Sequence, residues 1–370
     1  MQDFQIDSFL RQRMPSVSQA QKSSFEELRA KPINYIGGKN PKATVAVLDS
    51  FRPVRNGVAH GDTVTQVLQR ASGVRADEIQ KIDGDELSGS LRAIELLSSP
   101  GMESSSERLN AGIELSATEF LSGTNRVLED IANDPHSKIK TINQSQGKDG
   151  LDTLRLIRNM SFDYTEDGTP QVTRSGRHVF EGLGLEPGTD PESMRAFTEQ
   201  AIERVDNIYS NSPRIKRERQ RNSQLSEKLK DRGISYVLSA GNSGSELKMY
   251  QQAGIKMPDS FDDNLLSNPH NVVVGAIDTK ATPETKDDTI ASFSSTDPEV
   301  DFLANGVDIS VQSEGQAISV SGTSFSAPSV AGKLHSLREE NPRLSASQLQ
   351  TLLRNGAGAN VLDSSIAVVR

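Results

Sequence analysis

Cysteine and tryptophan are both absent from the 370 residues. Without cysteine there is no disulfide framework, no thiolate nucleophile and no Cys-ligated zinc or iron–sulfur centre. The five histidines (60, 136, 178, 270 and 335) include no HExxH spacing of the kind that holds a catalytic zinc. Long apolar runs are missing too. Strand-like stretches such as Val272 to Ile277 are about six residues long, far short of the roughly eighteen that cross a bilayer, so no membrane-spanning segment and no membrane partner are expected. The opening residues, MQDFQIDSFLRQRMPSVSQAQ, carry acids where a signal peptide carries bases, and they contain no apolar h-region. The expectation is a cytoplasmic protein, or one exported without a classical signal. Positive charge is also in deficit, with 41 Lys and Arg against 50 Asp and Glu for a net −9, which argues against nucleic acid as the main partner.

What is present reads as an α/β chain. Residues 1–42 are polar and end in the turn formers Ile36-Gly37-Gly38-Lys39-Asn40-Pro41, so an N-terminal extension is expected there. Short β-rich runs follow: ATVAVL (43–48), KIKTIN (138–143), ISYVLSA (234–240), NVVVGAI (271–277), VDFLA (300–304) and AISV (317–320). Helical patterns fall at 61–71, 114–133, 192–209, 214–231, 326–340 and 346–354, the last with Ser345 placed as an N-cap. Near-continuous apolar strands among helices predict a doubly wound, mostly parallel sheet with helices on both faces. That unit is expected over 43–358 with a short tail at 359–370. A polar stretch near 148–213 is too long for a connection and predicts an insertion with its own helices. Within it, GLGLEPG (182–188) lacks the spacing of a phosphate cradle and reads as a surface loop, as does Arg174-Ser175-Gly176-Arg177. The basic run RIKRERQR (214–221) reads as a solvated helix face.

Three strands end at polar residues: Asp49, Ser145 and the pair Gly241-Asn242. In a doubly wound sheet the ligand crevice lies outside the carboxyl ends of the strands, so these ends can share one cleft. Each residue taken singly also fits a cap or turn. Local sequence sharpens the reading: LDS at 48–50, AHGDTV at 59–64, SAGNSG at 239–244, FSS at 293–295 and SGTSFSAPSVAG at 321–332. In this order they resemble the subtilisin-like serine proteases, the subtilase or peptidase S8 family, over about 43 to 356.

The resemblance implies a serine endopeptidase working through an acyl-enzyme on protein or peptide substrates, with no required cofactor. Ser324 would be the nucleophile, a poor one until a base takes its proton. His60 would be that base, since its ordinary pKa of about 6.5 lets it accept and return a proton near neutrality. Asp49 would hold the imidazole tautomer and stabilise the imidazolium. Asn242 would donate to the developing oxyanion beside the Ser324 N–H. Ser145-Gln146-Gly147 and Ser239-Ala240-Gly241 are similar to the two segments that flank the primary specificity pocket, the first accepting substrate as an added strand.

The sequence also departs from the family pattern. Eleven positions separate Asp49 from His60, fewer than is usual, so a calcium-binding edge near the site is not carried over. Asp62 follows the His-Gly pair where Thr is usual, and is expected to raise the His60 pKa. The stretch from Ser145 to Asn242 spans 97 positions, material that can roof the cleft or bind a partner. Two other readings stay open: a non-catalytic binding module that keeps the fold, and an esterase or other acyl hydrolase using the same residues. Substrate preference and oligomeric state are not legible.

Overall fold

The apolar runs pair side by side in the computed structural model of the protein, which describes residues 32–52, 58–84, 96, 104–282, 287–296, 299–356 and 366–369. Residues 1–31 of the expected extension, and most of the expected tail, lie outside the described residues. Contacts group the described chain into two units, one of 104–120 with 152–216 and one of 32–84, 121–151 and the residues from 217 onward.

The second unit holds the sheet. Its strands are β1 (Val45–Asp49), β2 (Ile79–Asp83), β3 (Thr141–Gln144), β6 (Ser235–Ser239), β7 (Val272–Asp278), β9 (Val300–Asn305) and β12 (Ala367–Val369), in the spatial order β12-β9-β7-β6-β3-β1-β2. Every neighbouring pair along this order is parallel, and β8 (Thr289–Ile290) adds antiparallel to β7. The sheet therefore takes in Ala367–Val369, beyond the boundary expected at 358. Parallel strands need both faces covered, which explains why β1 and β7 are apolar almost throughout. On one face lie α1 (His60–Ser72), α8 (Thr323–Glu340) and α9 (Ala346–Gly356), whose Val64, Leu68, Val330, Leu334 and Leu349 pack with Val45, Val47, Val237 and Val274. On the other, Thr124 of α2 (Ser105–Asn133) accepts a hydrogen bond from Gln144, which in turn accepts from the Tyr236 hydroxyl.

Helices α1 and α8 approach so closely that a Cβ on Gly332 would stand 2.7 Å from the Ala71 methyl and 2.9 Å from the Leu68 carbonyl. Ser345 caps α9 as expected: its hydroxyl accepts from Gln348 N at 3.2 Å, and the Gln348 side chain accepts from Ser345 N at 2.8 Å.

One expected strand lies elsewhere. Gln316–Val320 (β11) pairs antiparallel with Ile309–Ser313 (β10), apart from the main sheet. Glu314 and Gly315 both have positive φ, the backbone of a two-residue hairpin turn that matches strand twist.

The first unit has its own apolar centre. Phe162, Phe180 and Phe197 bring their ring centroids within 4.8 to 5.8 Å of one another. They come from the hairpin β4 (Phe162–Tyr164) and β5 (Pro170–Val172), from α4 (Arg174–Leu183) and from α5 (Pro191–Asn211), with α3 (Gly150–Ser161) preceding and α6 (Pro213–Asp231) following. Arg174–Arg177, expected as an exposed loop, instead forms the first turn of α4, because the Thr173 hydroxyl accepts from Gly176 N at 2.8 Å and caps it. Within 182–188, Gly184 ends α4 in the left-handed region, and a few residues on Asp190 with Pro191 opens α5.

Candidate functional site

The chain leaves β1 toward β2 on one side and returns as β3 on the other. A sheet of this order has its topological switch point between β1 and β3, and the crevice outside their carboxyl ends is where α/β proteins bind ligands. Asp49 is the last residue of β1, and Ser145 directly follows β3, whose Gln144 pairs in register with Leu48.

Asp49 is fully buried, and one of its carboxylate oxygens accepts from Ser50 N at 2.7 Å and meets His60 Nδ1 at 2.6 Å. Its other oxygen, Oδ2, is buried and has no hydrogen-bond partner among the described residues. His60 is the first residue of α1, and the bond from Gly61 N to Ser50 O at 2.7 Å folds that helix start back onto the strand end. With an ionised carboxylate at Nδ1, that nitrogen carries the hydrogen and Nε2 is left as the acceptor. The imidazole is 40 % exposed on its open side and stands 5.6 Å, centroid to centroid, from the Phe325 ring. Burial disfavours its protonated form, while the hydrogen bond to Asp49 and the charge of that carboxylate favour it, and the balance lies above 6.5. Asp62, expected to contribute to this rise, is bound instead to Lys81 Nζ at 2.7 Å and is not among its causes.

Ser324 is the second residue of α8, where a backbone N–H has no partner within its own helix. Its hydroxyl donates to the Ser145 carbonyl at 3.2 Å, an acceptor shared with the Ser239 hydroxyl at 3.1 Å. Among the described residues no hydrogen bond joins Ser324 to His60. Pro328 explains a second tie. It lies in the second turn of α8, not the first, so it has no N–H to give the Ser324 carbonyl four residues back. The Ser145 hydroxyl supplies that bond at 2.9 Å, and Asn143 Nδ2 steadies the hydroxyl at 3.0 Å.

Asn242 follows β6 by three residues. Its Oδ1 accepts from Thr323 N at 2.9 Å and from Thr323 Oγ1 at 3.1 Å. Two donors on one oxygen fix the amide orientation, which leaves Nδ2 beside Gly322 and available to donate. Of the six expected substrate-binding residues, Ser145, Ser239 and Ala240 are buried, Gln146 and Gly241 are half-buried, and Gly147 is exposed. The Ala240 side chain belongs to the apolar cluster with Val273 and Ile277, so it offers substrate only its backbone. Sequence reasoning passed over Thr323, Asn143, Asp149 and Ser243, although Thr323 lies inside the SGTSFSAPSVAG motif. Among the described residues, no three His, Cys, Asp or Glu are grouped to hold a metal ion, and no helix is long and apolar enough to cross a membrane.

The class so defined is a doubly wound α/β protein that presents Asp, His, Asn and Ser around the carboxyl ends of its central strands. The chain belongs to the subtilase family, whose model matches residues 111–367. It is 31% identical over 145 residues to "Serine protease AprX" of Bacillus subtilis (strain 168), covering 34% of this chain and 30% of that protein. To "Subtilisin DY" of Bacillus licheniformis it is 34% identical over 142 residues, 38% of this chain and 45% of the relative. The matched stretch thus spans less than half the length of either relative. Among solved structures, a "Lanthipeptide Protease" superposes with a TM-score of 0.43 at 15% identity, over 95% of this chain and 91% of that one.

Proposed function

We propose that the protein is a serine endopeptidase. The observation that carries the reading is the 2.6 Å contact of His60 Nδ1 with a buried Asp49 carboxylate at the sheet's switch point, facing a helix that begins at Thr323-Ser324. Ser324 Oγ attacks the carbonyl carbon of a peptide bond and its proton passes to His60 Nε2. The oxygen that becomes negative takes hydrogen bonds from Asn242 Nδ2 and Ser324 N–H. Collapse breaks the C–N bond, and His60 returns the proton to the departing amine. Water, deprotonated by His60, then attacks the acyl-enzyme and releases the carboxylic acid and Ser324. An extended peptide or protein segment along Ser145–Gly147 is the substrate class that this arrangement suits, with the Ser145 carbonyl ready to exchange its hydroxyl donors for a substrate N–H.

The test is covalent labelling by a fluorophosphonate. The purified protein is expected to be labelled once, at Ser324, and Ser324→Ala to fold normally and take no label, because it loses one oxygen and little volume. Labelling of Ser324→Ala at the parent rate would sink the assignment. One observation favours a second reading. The Ser324 hydroxyl rests on Ser145 and not on His60, as in a binding module that keeps the fold without turnover. Such a module would leave the probe unreacted while retaining peptide binding.

A further inference from the structure

Ser243 departs from the ordinary behaviour of a serine at a helix start. It precedes α7 (Gly244–Gln252), where a serine hydroxyl normally accepts from the helix's free N–H groups. No such bond forms, and the backbone of Ser243 is itself helical, at φ −91 and ψ −7. The hydroxyl donates instead to Asp149 Oδ2 at 2.6 Å, and both residues are almost wholly buried, at 1% and 4% exposure. A hydrogen bond to a carboxylate is worth roughly twice one between neutral groups. The neighbouring backbone is tied by neutral bonds as well: Ser295 N donates to Gly241 O at 3.0 Å, Ser243 N donates to Ser295 Oγ at 3.4 Å, and Gly241 N donates to Thr323 Oγ1 at 3.2 Å. Asn242 lies between two residues clamped in this way, while its own side chain bonds to Thr323.

Asp149 ends the segment that begins at Ser145. The carboxylate thus ties the segment expected to receive substrate to the neighbour of the residue expected to stabilise the oxyanion. We propose that Asp149 is a positioning residue for Asn242, acting through Ser243 to set where the Asn242 amide points in the transition state. The proposal rests on the oxyanion role given to Asn242 above. A displacement of about 1 Å in such a donor can cost as much as 10²-fold, and its outright loss about 10²–10³.

The experiment measures fluorophosphonate labelling of the full chain over a range of probe concentrations, giving a saturating rate and a half-saturation point. Asp149→Asn and Ser243→Ala are each expected to lower the saturating rate about ten- to hundred-fold with little change in half-saturation. Ser243→Thr, which keeps the hydroxyl, should recover most of the rate. Adding Asp149→Asn to Asn242→Ala should cost nothing further, since the group being positioned is already gone. Equal losses from Asp149→Asn with and without Asn242, or a change in half-saturation alone, would overturn the proposal. Should Asp149→Asn fail to fold, Ser243→Ala, which removes one oxygen, is judged by the same criteria. An Asn242→Ala protein as fast as its parent would remove the oxyanion role itself, and is told apart because it needs no substitution at Asp149.

Discussion

The Asp49–His60 contact sets how the protein answers to pH. His60 acts as a base only when neutral, and its pKa lies above 6.5 because the bond and charge of Asp49 outweigh burial. Activity should therefore rise with pH through a midpoint above 6.5. Asp49→Asn should move that midpoint down and lower kcat by about 10⁴, the scale seen when a triad carboxylate is neutralised in place. A pH–rate profile of the two proteins checks both outcomes, and an unmoved midpoint would mean that Asp49 does not govern the imidazole. In stability the signs differ between two histidines. A raised folded pKa means that His60 adds stability which is complete below 6.5 and fades as pH rises through its folded value. His335 is buried between Thr44 and Thr141, and burial pulls its pKa down against Glu339 and Glu78, with Arg338 adding to the fall. Its contribution is present above 6.5 and is lost as pH falls toward its folded value. His335→Gln should thus flatten the acid-side decline of Tm below pH 6.5, read by circular dichroism melts. An unchanged slope would place the decline in other groups.

Elements were legible wherever apolar residues recur at one spacing, and illegible where polar residues carry the packing. β1, β6 and β7 stand within two residues of the runs that announce them. β2 escapes a reading of the sequence because Ile79-Gln80-Lys81-Ile82-Asp83 is an edge strand with only two apolar residues. Its Gln80 is buried and spends its amide on Asn40 N and the Gly38 carbonyl. α4 is similarly hidden, since Arg174, Ser175 and Gly176 look like a loop until Thr173 is seen capping them. The motif residues Asp49, His60, Asn242 and Ser324 were legible because their neighbours are distinctive. Asp149 and Ser243 were not, because a lone acid and a serine say nothing until the fold brings them together from positions 94 apart. The helix contact at Gly332 offers a test at this scale. Gly332→Val would press side-chain atoms into Ala71 and Leu68 and should cost about 1–3 kcal/mol in urea denaturation. A neutral result would show that α1 and α8 can separate freely.

At the scale of the whole chain, the two units have separate apolar centres. The residues read from sequence as an insertion supply most of one of them. Phe180 lies within the polar stretch near 148–213 that was expected as an insertion, yet it is fully buried against Phe162 and Phe197. Phe180→Ala should cost about 3–5 kcal/mol, measured by chemical denaturation at 222 nm. A loss below about 1 kcal/mol would mean that the ring cluster does not hold its unit together. The other unit gains its edge from residues near the far end of the chain, where β12 closes the sheet beside β9.

The proline in α8 has a consequence for engineering. Proline within a helix is disfavoured by about 3 kcal/mol relative to alanine, so Pro328→Ala is the substitution a stability screen would select first. The new N–H would then compete with the Ser145 hydroxyl for the Ser324 carbonyl, drawing it into the helix and loosening the strap between nucleophile and substrate strand. Thermal resistance and turnover are thereby set against each other through one shared acceptor: Pro328→Ala should melt higher and label more slowly.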